Sequence, residues 1–268
     1  MKDKLRVTIV QVPLKWQDVT GNIALFQRKL LPLKKGTTDL IVLPEMFSTG
    51  FSMEAKLFAE KEGGSAMQWM ADSARQLNAV ITGSIMLKEG KKYFNRLIWM
   101  RPDGTYGKYD KHHLFTMGSE GNHYTAGKQS EVFEVQGFRV LPLICYDLRF
   151  PVFSRNRLKT KGKKSEYRYD VLLYTANWPA VRQYPWQQLL PARAIENQSY
   201  VIGVNRIGAD GNGIAYAGGS CVIDPFGQPL YSAGKKNTAQ TVELLKTPLS
   251  ELRTKFPVLY DADKFKLA

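Results

Sequence analysis

Short apolar runs rich in β-branched residues recur along the first two thirds of the chain and constrain its fold more than any other feature. Runs of this length are typical of buried strands and too short for buried helices. We therefore predict six strands: Leu5–Gln11, Asp39–Leu43, Ala79–Leu87, Phe94–Met100, Phe138–Ile144 and Val171–Ala176.

Segments with helical spacing lie between these runs. Residues 21–33 and 65–78 repeat apolar side chains every three or four positions, and Ser65 is a candidate N-cap for the second segment. Residues 186–198 also predict a helix, in which Pro191 either kinks the helix or begins a new one at its first turn. Strands that alternate with helices in this way indicate an α/β fold.

Two turn sequences interrupt the alternation. Residues 102–104 and 224–227 combine aspartate, proline and glycine, which are typical of tight turns between antiparallel strands. We therefore predict mixed sheets, with antiparallel pairs beside parallel strands.

Length and composition indicate an ordinary globular chain. Its 268 residues, 44% hydrophobic, are enough for a large core, and because no change of composition divides them we expect one domain over 1–268. No stretch approaches the roughly 18 uncharged apolar residues of a membrane span. Cys145 and Cys221 cannot form a disulfide framework, and the sequence begins with no secretory leader, which together favour the cytoplasm.

The chain is strongly basic, with a formal charge of +14 that would attract anions ranging from nucleic acid to a small carboxylate. The densest basic run, residues 157–164, contains a glycine and is followed by Glu166. We interpret it as a solvated insertion loop rather than a nucleic-acid surface. We therefore expect neither nucleic acid nor a membrane as a partner.

Polar or reactive side chains directly follow four of the apparent strands. They are Glu45 after 39–43, Lys111 after 106–110, Cys145 after 138–144, and Asn177 with Trp178 after 171–176. Because ligands of open α/β sheets bind beyond the carboxyl ends of the strands, we expect these residues to share one crevice.

Each of these residues also has an ordinary structural interpretation. A cysteine after an apolar strand is most often a small buried hydrophobe, and a lysine in a polar run is usually solvated. Glu45 is less ordinary, because a carboxylate flanked by leucine, proline, methionine and phenylalanine is either desolvated or paired. Cys221 has no reactive neighbours in the sequence, so we predict that it is structural.

Together, Glu45, Lys111 and Cys145 fit nucleophilic catalysis on an acyl group. A thiol attacks as the thiolate, so the Lys111 cation and the Glu45 base would raise the reactivity of Cys145 near neutral pH. Lys111 and the backbone N–H of Tyr146 would form the oxyanion hole. Glu45 would return the proton to the leaving amine and then activate the water that breaks the thioester.

The stretches around these residues resemble the nitrilase superfamily of carbon–nitrogen hydrolases, whose Glu-Lys-Cys triad occurs in this order. The matching stretches are residues 43–47, 111–115 and 143–151, and weaker matches extend the likeness over nearly the whole chain. The sequences CYDLRFP at 145–151 and ANWP at 176–179 most resemble the bacterial YafV-type ω-amidases.

This resemblance implies a four-layer αββα sandwich with two mixed β-sheets, a homodimer formed through the helices on the nucleophile side, and no metal or organic cofactor. It also implies a second catalytic glutamate, for which Glu120 is the matching residue, with the role of orienting Lys111 or assisting proton transfer. The basic insertion at 158–168 and Pro191 depart from the family pattern. Neither touches the triad, and both bear on the mouth of the pocket and the dimer contacts.

Arg149, four residues after Cys145, is the main candidate for substrate recognition. It would either bind a substrate carboxylate with two hydrogen bonds or form a buried salt bridge with Asp147 or another acid. With the ω-amidase likeness, the first alternative predicts hydrolysis of the terminal amide of short dicarboxylic acid ω-monoamides. 2-Oxoglutaramate and 2-oxosuccinamate are such compounds, and ammonia would be released.

Asn177 and Trp178 are also predicted to contact the substrate. Trp178 would line an apolar wall with Phe47, Phe51 and Tyr146, although ordinary core packing explains each of these aromatic residues equally well.

Other functions stay open from the sequence alone. A carbamoylase or an aliphatic amidase would use the same triad, with Arg149 as a structural residue. A binding protein would use its basic surface on nucleic acid or an acidic partner. A papain-type protease would need one of the three histidines, His112, His113 or His123, and the spacing of these histidines fits no zinc motif.

Overall fold

Two six-stranded mixed sheets form the centre of the structure, a computed structural model that describes residues 3–161, 164–263 and 265. The first sheet consists of β1 (Lys4–Gln11), β2 (Leu40–Val42), β3 (Val80–Glu89), β4 (Lys92–Met100), β5 (Tyr106–Asp110) and β16 (Thr238–Leu245). The second consists of β6 (Phe133–Val135), β7 (Phe138–Ile144), β10 (Val171–Thr175), β11 (Tyr200–Val204), β14 (Cys221–Ile223) and β15 (Pro229–Ser232).

Both sheets have the same plan, with parallel strands at the centre and antiparallel strands at the edges. The first has the order β16-β1-β2-β3-β4-β5, and β1, β2 and β3 are parallel. The second has the order β15-β14-β11-β10-β7-β6, and β7, β10 and β11 are parallel. Glu45, Cys145 and Asn177 lie beyond the carboxyl ends of the parallel strands β2, β7 and β10, whereas Lys111 follows the antiparallel edge strand β5.

Helices cover the outer faces of both sheets. They are α1 (Val19–Leu30), α2 (Ala55–Phe58), α3 (Ser65–Leu77), α4 (Pro151–Ser154), α5 (Gln183–Asn197) and α6 (Lys246–Lys255). On the first sheet, α1 and α3 bury Phe26, Trp69 and Met70, and on the second α5 buries Trp186 and Leu190. The inner faces of the sheets join in one apolar cluster, so the expected four-layer αββα sandwich is confirmed.

All six predicted strands are present, and their ends shift by at most two residues. Both turn sequences connect antiparallel strands, β4 to β5 and β14 to β15. At the first turn Gly104 N–H donates to the carbonyl of Arg101, and at the second Gly227 N–H donates to that of Asp224. The prediction of mixed sheets is therefore confirmed.

The helix boundaries differ from the predicted ones. Helix α1 begins two residues earlier than expected, where the Asp18 carboxylate accepts from the backbone N–H of Gly21 at 2.8 Å, and it ends before Pro32. The predicted N-cap at Ser65 is wrong. Ser65 is already helical and donates to Glu60, whose carboxylate accepts the backbone N–H of Ala66 at 3.0 Å.

Two features of the second half also differ from expectation. Helix α5 runs unbroken through Pro191, which cannot donate a backbone hydrogen bond there. The basic insertion is a hairpin of β8 (Leu158–Lys161) and β9 (Lys164–Tyr167) rather than a loop, because its two arms pair in antiparallel register. Residues 162–163 of the basic run lie outside the described residues.

A second small hairpin, β12 (Ile207–Ala209) with β13 (Ala215–Ala217), reaches the mouth of the cavity described below. In the described ranges, no helix is long and apolar enough to cross a membrane.

Candidate active site

The residues predicted from strand ends line one cavity of about 800 Å³. Glu45 lies in the turn that follows β2, and Lys111 directly follows β5. Cys145 directly follows β7, while Asn177 and Trp178 lie just beyond β10. The two sheets therefore contribute to the same site, as the sequence predicted.

Lys111 and two glutamates form a buried charge cluster beside Cys145. The Lys111 ammonium donates to Glu45 Oε1 at 2.9 Å, to Glu120 Oε2 at 2.9 Å and to Glu120 Oε1 at 3.1 Å. All three side chains are at most 1% exposed. With both glutamates ionised, two negative charges face one positive charge in a water-poor setting.

Glu120, predicted only from the family resemblance, is in direct contact with Lys111. It opens a short 3₁₀ turn at Glu120–Asn122, and its Oε2 also accepts the backbone N–H of Phe115 at 2.6 Å. These bonds fix its carboxylate against the lysine.

Asn95 on β4 connects both carboxylates and was missed by the sequence analysis. Its Nδ2 donates to Glu45 Oε1 at 2.8 Å and to Glu120 Oε1 at 3.2 Å. Its backbone carbonyl accepts the N–H of Lys111 at 3.0 Å. The available signal was an asparagine in a predicted strand that is mostly apolar, since a buried amide needs hydrogen-bond partners.

The second oxygen of Glu45 is held by the other sheet. Glu45 Oε2 accepts the backbone N–H of Asn177 at 2.9 Å, and the Asn177 side-chain amide donates to the carbonyl of Glu45 at 2.5 Å. Asn177 thus fixes Glu45 across the two sheets. Its Oδ1 is buried and accepts no hydrogen bond from the described residues.

The cluster determines the protonation of its members. Burial opposes the charge of Lys111, but the Glu120 and Glu45 carboxylates outweigh burial and raise the pKa of Lys111. Burial raises the pKa of Glu120, which Lys111 lowers and Glu45 raises again. The lysine is therefore a permanent cation, and Glu120 holds its charge less firmly than a solvated glutamate.

Cys145 lies at a sharp backbone turn. Its φ of +43° is in the left-handed region that a side chain other than glycine seldom adopts, and a 3₁₀ turn follows at Cys145–Arg149. The buried Asp147 carboxylate holds this turn, because it accepts from the backbone N–H of Ile144 at 2.9 Å, from the Tyr109 hydroxyl at 2.7 Å and from the backbone N–H of His113 at 3.0 Å. The thiol is thus presented at the strand end, next to the charge cluster.

The thiol of Cys145 is protonated in this environment. Burial and the Glu45 carboxylate raise its pKa well above the ordinary value, and the opposing effect of Lys111 does not compensate. The nearby lysine alone therefore does not produce a thiolate. Deprotonation requires a base, and the Glu45 carboxylate is near enough to the thiol to raise its pKa directly.

Arg149 lines the cavity with its guanidinium 5.0 Å from the centre of the Trp178 ring. It forms no ion pair with Asp147, which is occupied by the bonds described above. Tyr146 and Phe51 line the same cavity, and the Phe51 ring is 5.0 Å from Lys111 Nζ.

Phe47 belongs to the core instead of the cavity wall. It packs against Phe26 and Trp69, with ring centres 5.4 and 5.6 Å away, beneath α1 and α3. Of the two interpretations of this residue, the structure supports core packing.

The histidines make contacts away from the thiol. His112 stacks on Phe153, and His113 stacks on Phe150 with its Nδ1 2.8 Å from Asp147. His123 is exposed. Within residues 3–161, 164–263 and 265, no cluster of three His, Cys, Asp or Glu side chains could hold a metal ion.

Comparison with known proteins gives consistent matches. The family model for carbon–nitrogen hydrolases matches residues 6–247. The omega-amidase YafV of Escherichia coli K12 is 46% identical over 266 residues, covering 98% of each chain. The 2-oxoglutaramate amidase of Bacillus subtilis is 34% identical over 230 residues, covering 84% of this chain and 85% of its own.

A solved structure is also very similar. XC1258 from Xanthomonas campestris, a CN-hydrolase superfamily protein with an arsenic adduct in its active site, superposes with a TM-score of 0.96 at 43% identity, covering 99% of each chain.

Proposed function

This chain belongs to the carbon–nitrogen hydrolase family, and on that basis we propose that it is an ω-amidase that cleaves the terminal amide of short dicarboxylic acid ω-monoamides. 2-Oxoglutaramate and 2-oxosuccinamate are the substrates we expect, with ammonia as one product. The names of its relatives, omega-amidase and 2-oxoglutaramate amidase, support this substrate class.

The observation that carries the proposal is the contact of one lysine with two glutamates beside a cysteine at the base of a cavity. This set supplies a nucleophile, a base and a fixed cation within one hydrogen-bonded group. The roles below follow from its geometry and charge.

In the first step, Glu45 accepts the proton of Cys145 as the sulfur attacks the amide carbon. The C–S bond forms and the carbonyl electrons move to oxygen, where Lys111 and the backbone N–H of Tyr146 stabilise the developing negative charge. Glu45 then gives its proton to the amide nitrogen. The C–N bond breaks, ammonia leaves, and a thioester with Cys145 remains.

In the second step, Glu45 takes a proton from water as the water oxygen attacks the thioester. The tetrahedral intermediate collapses, the C–S bond breaks, and Glu45 returns the proton to the sulfur. Glu120 contributes by holding Lys111 together with Glu45, so that the ammonium stays at the position where the oxyanion forms.

The preference for a carboxylated amide is supported by Arg149. Its guanidinium lines the cavity and lies on Trp178, and a guanidinium binds a carboxylate with two parallel hydrogen bonds. Asn177 and Trp178 complete the substrate site in this proposal, because both line the cavity.

The direct test measures ammonia release by wild type and Cys145→Ala on ω-monoamides, neutral amides, carbamoyl amino acids and nitriles. We expect release from 2-oxoglutaramate and 2-oxosuccinamate by wild type and none above background by the variant. Equal release by the two proteins would exclude the mechanism, and activity confined to carbamoyl amino acids would replace the substrate class.

A second measurement separates the ω-amidase from a neutral-amide amidase with the same triad. Arg149→Ala should lose activity on carboxylated amides and retain it on neutral ones. Equal losses on both would mean that Arg149 has a structural role only.

We also propose that residues 1–268 act as one catalytic domain in a cytoplasmic homodimer. Large apolar side chains on and beside α5 support the dimer, because Val181, Tyr184 and Ile195 are 89%, 72% and 55% exposed. Both cysteines are free, as in reducing compartments. Analytical ultracentrifugation at micromolar concentration should give twice the mass of 30.4 kDa.

A further inference from the structure

Arg182 is a second arginine on the wall of the catalytic cavity. It ends a 3₁₀ turn at Ala180–Arg182, just after the Asn177–Trp178 pair, and its carbonyl accepts the indole N–H of Trp178 at 2.6 Å. Its guanidinium lies 5.3 Å from the centre of the Phe115 ring. The backbone bond and the ring contact together hold Arg182 at the cavity.

Arg149 and Arg182 have matching environments. Each lies on an aromatic ring of the cavity wall, and Trp178 contacts both, through its ring and through its indole N–H. In the part of the chain that the structure describes, neither guanidinium has an ion-pair or hydrogen-bond partner. Up to ten N–H donors in a shared cavity are thus available to a ligand.

Asp210, an acid on the β12–β13 hairpin that lines the cavity, already has hydrogen-bond partners. Asp210 accepts the Tyr216 hydroxyl at 2.9 Å through one oxygen and the backbone N–H groups of Asn212 and Ile214 through the other. It is therefore engaged in shaping the hairpin. Glu54, the other carboxylate of the wall outside the charge cluster, forms no ion pair in the described residues, so the unpaired charges of the wall are those of Glu54 and the two arginines.

We propose that Arg182 is a specificity-determining residue, which binds the substrate carboxylate jointly with Arg149. This inference rests on the proposed ω-amidase function and identifies a residue that distinguishes carboxylated from neutral amides. Two guanidiniums fit a carboxylate better than one, because its oxygens offer about four acceptor sites. The aromatic faces hold both cations without consuming their N–H donors.

The test compares kcat and KM for 2-oxoglutaramate and for butyramide, a neutral amide, in wild type, Arg182→Ala and Arg182→Lys. Loss of charge-assisted hydrogen bonds should lower kcat/KM for 2-oxoglutaramate by about 10- to 100-fold, mainly through KM. Butyramide hydrolysis should change less than about twofold. Arg182→Lys keeps the charge without the planar fork and should recover part of the loss.

The matched control is Arg28→Ala, which removes the same charge from an exposed position on α1, on the outer face of the first sheet. It should leave both substrates unaffected, so that a general loss of positive charge is separated from a local contact. Equal losses on both amides in Arg182→Ala, or no loss on either, would overturn the assignment.

A second test measures ligand binding and does not depend on hydrolysis. 2-Oxoglutarate, a dicarboxylate without the amide, should protect Cys145 of wild type from iodoacetamide and should fail to protect Arg182→Ala at the same concentration. Equal protection of both proteins would refute the role of Arg182. If wild type is protected but does not hydrolyse 2-oxoglutaramate, the proposed function fails while the carboxylate site stands.

Discussion

Replacing Glu45 with glutamine should make Cys145 more reactive towards an alkylating agent while it abolishes amide hydrolysis. Glutamine has nearly the same shape, and its carbonyl oxygen still accepts the backbone N–H of Asn177, which donates to Glu45 Oε2 at 2.9 Å in the wild type. The substitution removes the charge that, after burial, does most to raise the pKa of the thiol. Without the Glu45 charge, Lys111 lowers the pKa of the thiol more than Glu120 raises it, and so favours the thiolate.

The size of the effect follows from Coulomb's law. A unit charge at about 4 Å in an effective dielectric of about 20 contributes about 4 kcal/mol, which corresponds to about a 1,000-fold change in the thiolate fraction. A less basic thiolate is a weaker nucleophile. With a Brønsted slope of about 0.45, its lower rate constant cancels about 1.3 of the three logarithmic units that are gained in the thiolate fraction. At a pH below the pKa of Cys145 in both proteins, alkylation should therefore be about 30- to 50-fold faster in Glu45→Gln than in wild type.

The assay is the second-order rate constant of iodoacetamide with Cys145 between pH 6 and 9, followed by intact-protein mass. Cys145→Ala supplies the background, which should be small because burial raises the pKa of the Cys221 thiol to about 12. Ammonia release from 2-oxoglutaramate should fall at least about 1,000-fold, as expected on loss of a group that acts as base and acid. Slower alkylation at every pH, or an unchanged pH profile, would refute the reasoning.

Three further predictions concern positioning and stability. Asn95→Ala removes the donor shared by Glu45 and Glu120 and should lower kcat by about 10- to 100-fold with little change in KM; an unchanged kcat would contradict this role. Three cations, with Arg253 foremost, overcome the effect of burial and lower the pKa of Asp170 from 3.8 to about 2. The ionised Asp170 should therefore contribute about 2 kcal/mol to the free energy of unfolding. This contribution should be complete above about pH 5 and lost as the pH falls through 2. In urea unfolding between about pH 2 and 7, the free energy of unfolding of Asp170→Asn should therefore lack the pH dependence that this carboxyl gives to wild type. The same dependence on pH in both proteins would contradict the prediction. Phe47→Ala should cost about 3 to 5 kcal/mol in urea unfolding, since its ring is fully buried against α1 and α3, whereas a loss below 1 kcal/mol would contradict core packing.

The sequence predicted the central strands and the reactive residues that follow them because both depend on local patterns. An apolar run such as residues 138–144 is recognisable without its neighbours, and the end of a strand is where ligands of α/β sheets bind. The edge strand β16 was not predicted, because half of the residues in its sequence TAQTVELL are polar and most are partly or fully exposed. Its partner β1 lies at the other end of the chain, and such non-local pairing leaves no local signal.

Single residues whose partners are distant in the sequence were equally difficult to predict. Asn95 is one amide in a strand, and its importance arises only where β2, β4 and the 3₁₀ turn at 120–122 meet. Arg182 is one of many basic residues in a chain of charge +14. Only its position on Phe115, in the wall of the cavity, distinguishes it from a solvated arginine.

The charge of the site connects these residues. Glu45, Glu120 and Lys111 together carry an excess negative charge, which helps to keep the thiol protonated; in the proposed mechanism Glu45 removes this proton during attack. The excess negative charge acts on the thiol together with burial, which is the larger cause of its raised pKa. The same charge would repel an anionic substrate, because Coulomb interactions are strong where water is scarce. The guanidiniums of Arg149 and Arg182, which form no ion pair in the described residues, place positive charge on the cavity wall where we propose that the carboxylate binds. Removing both should therefore weaken binding of carboxylated amides more than the sum of the single losses, since one remaining arginine still screens the substrate from the glutamates.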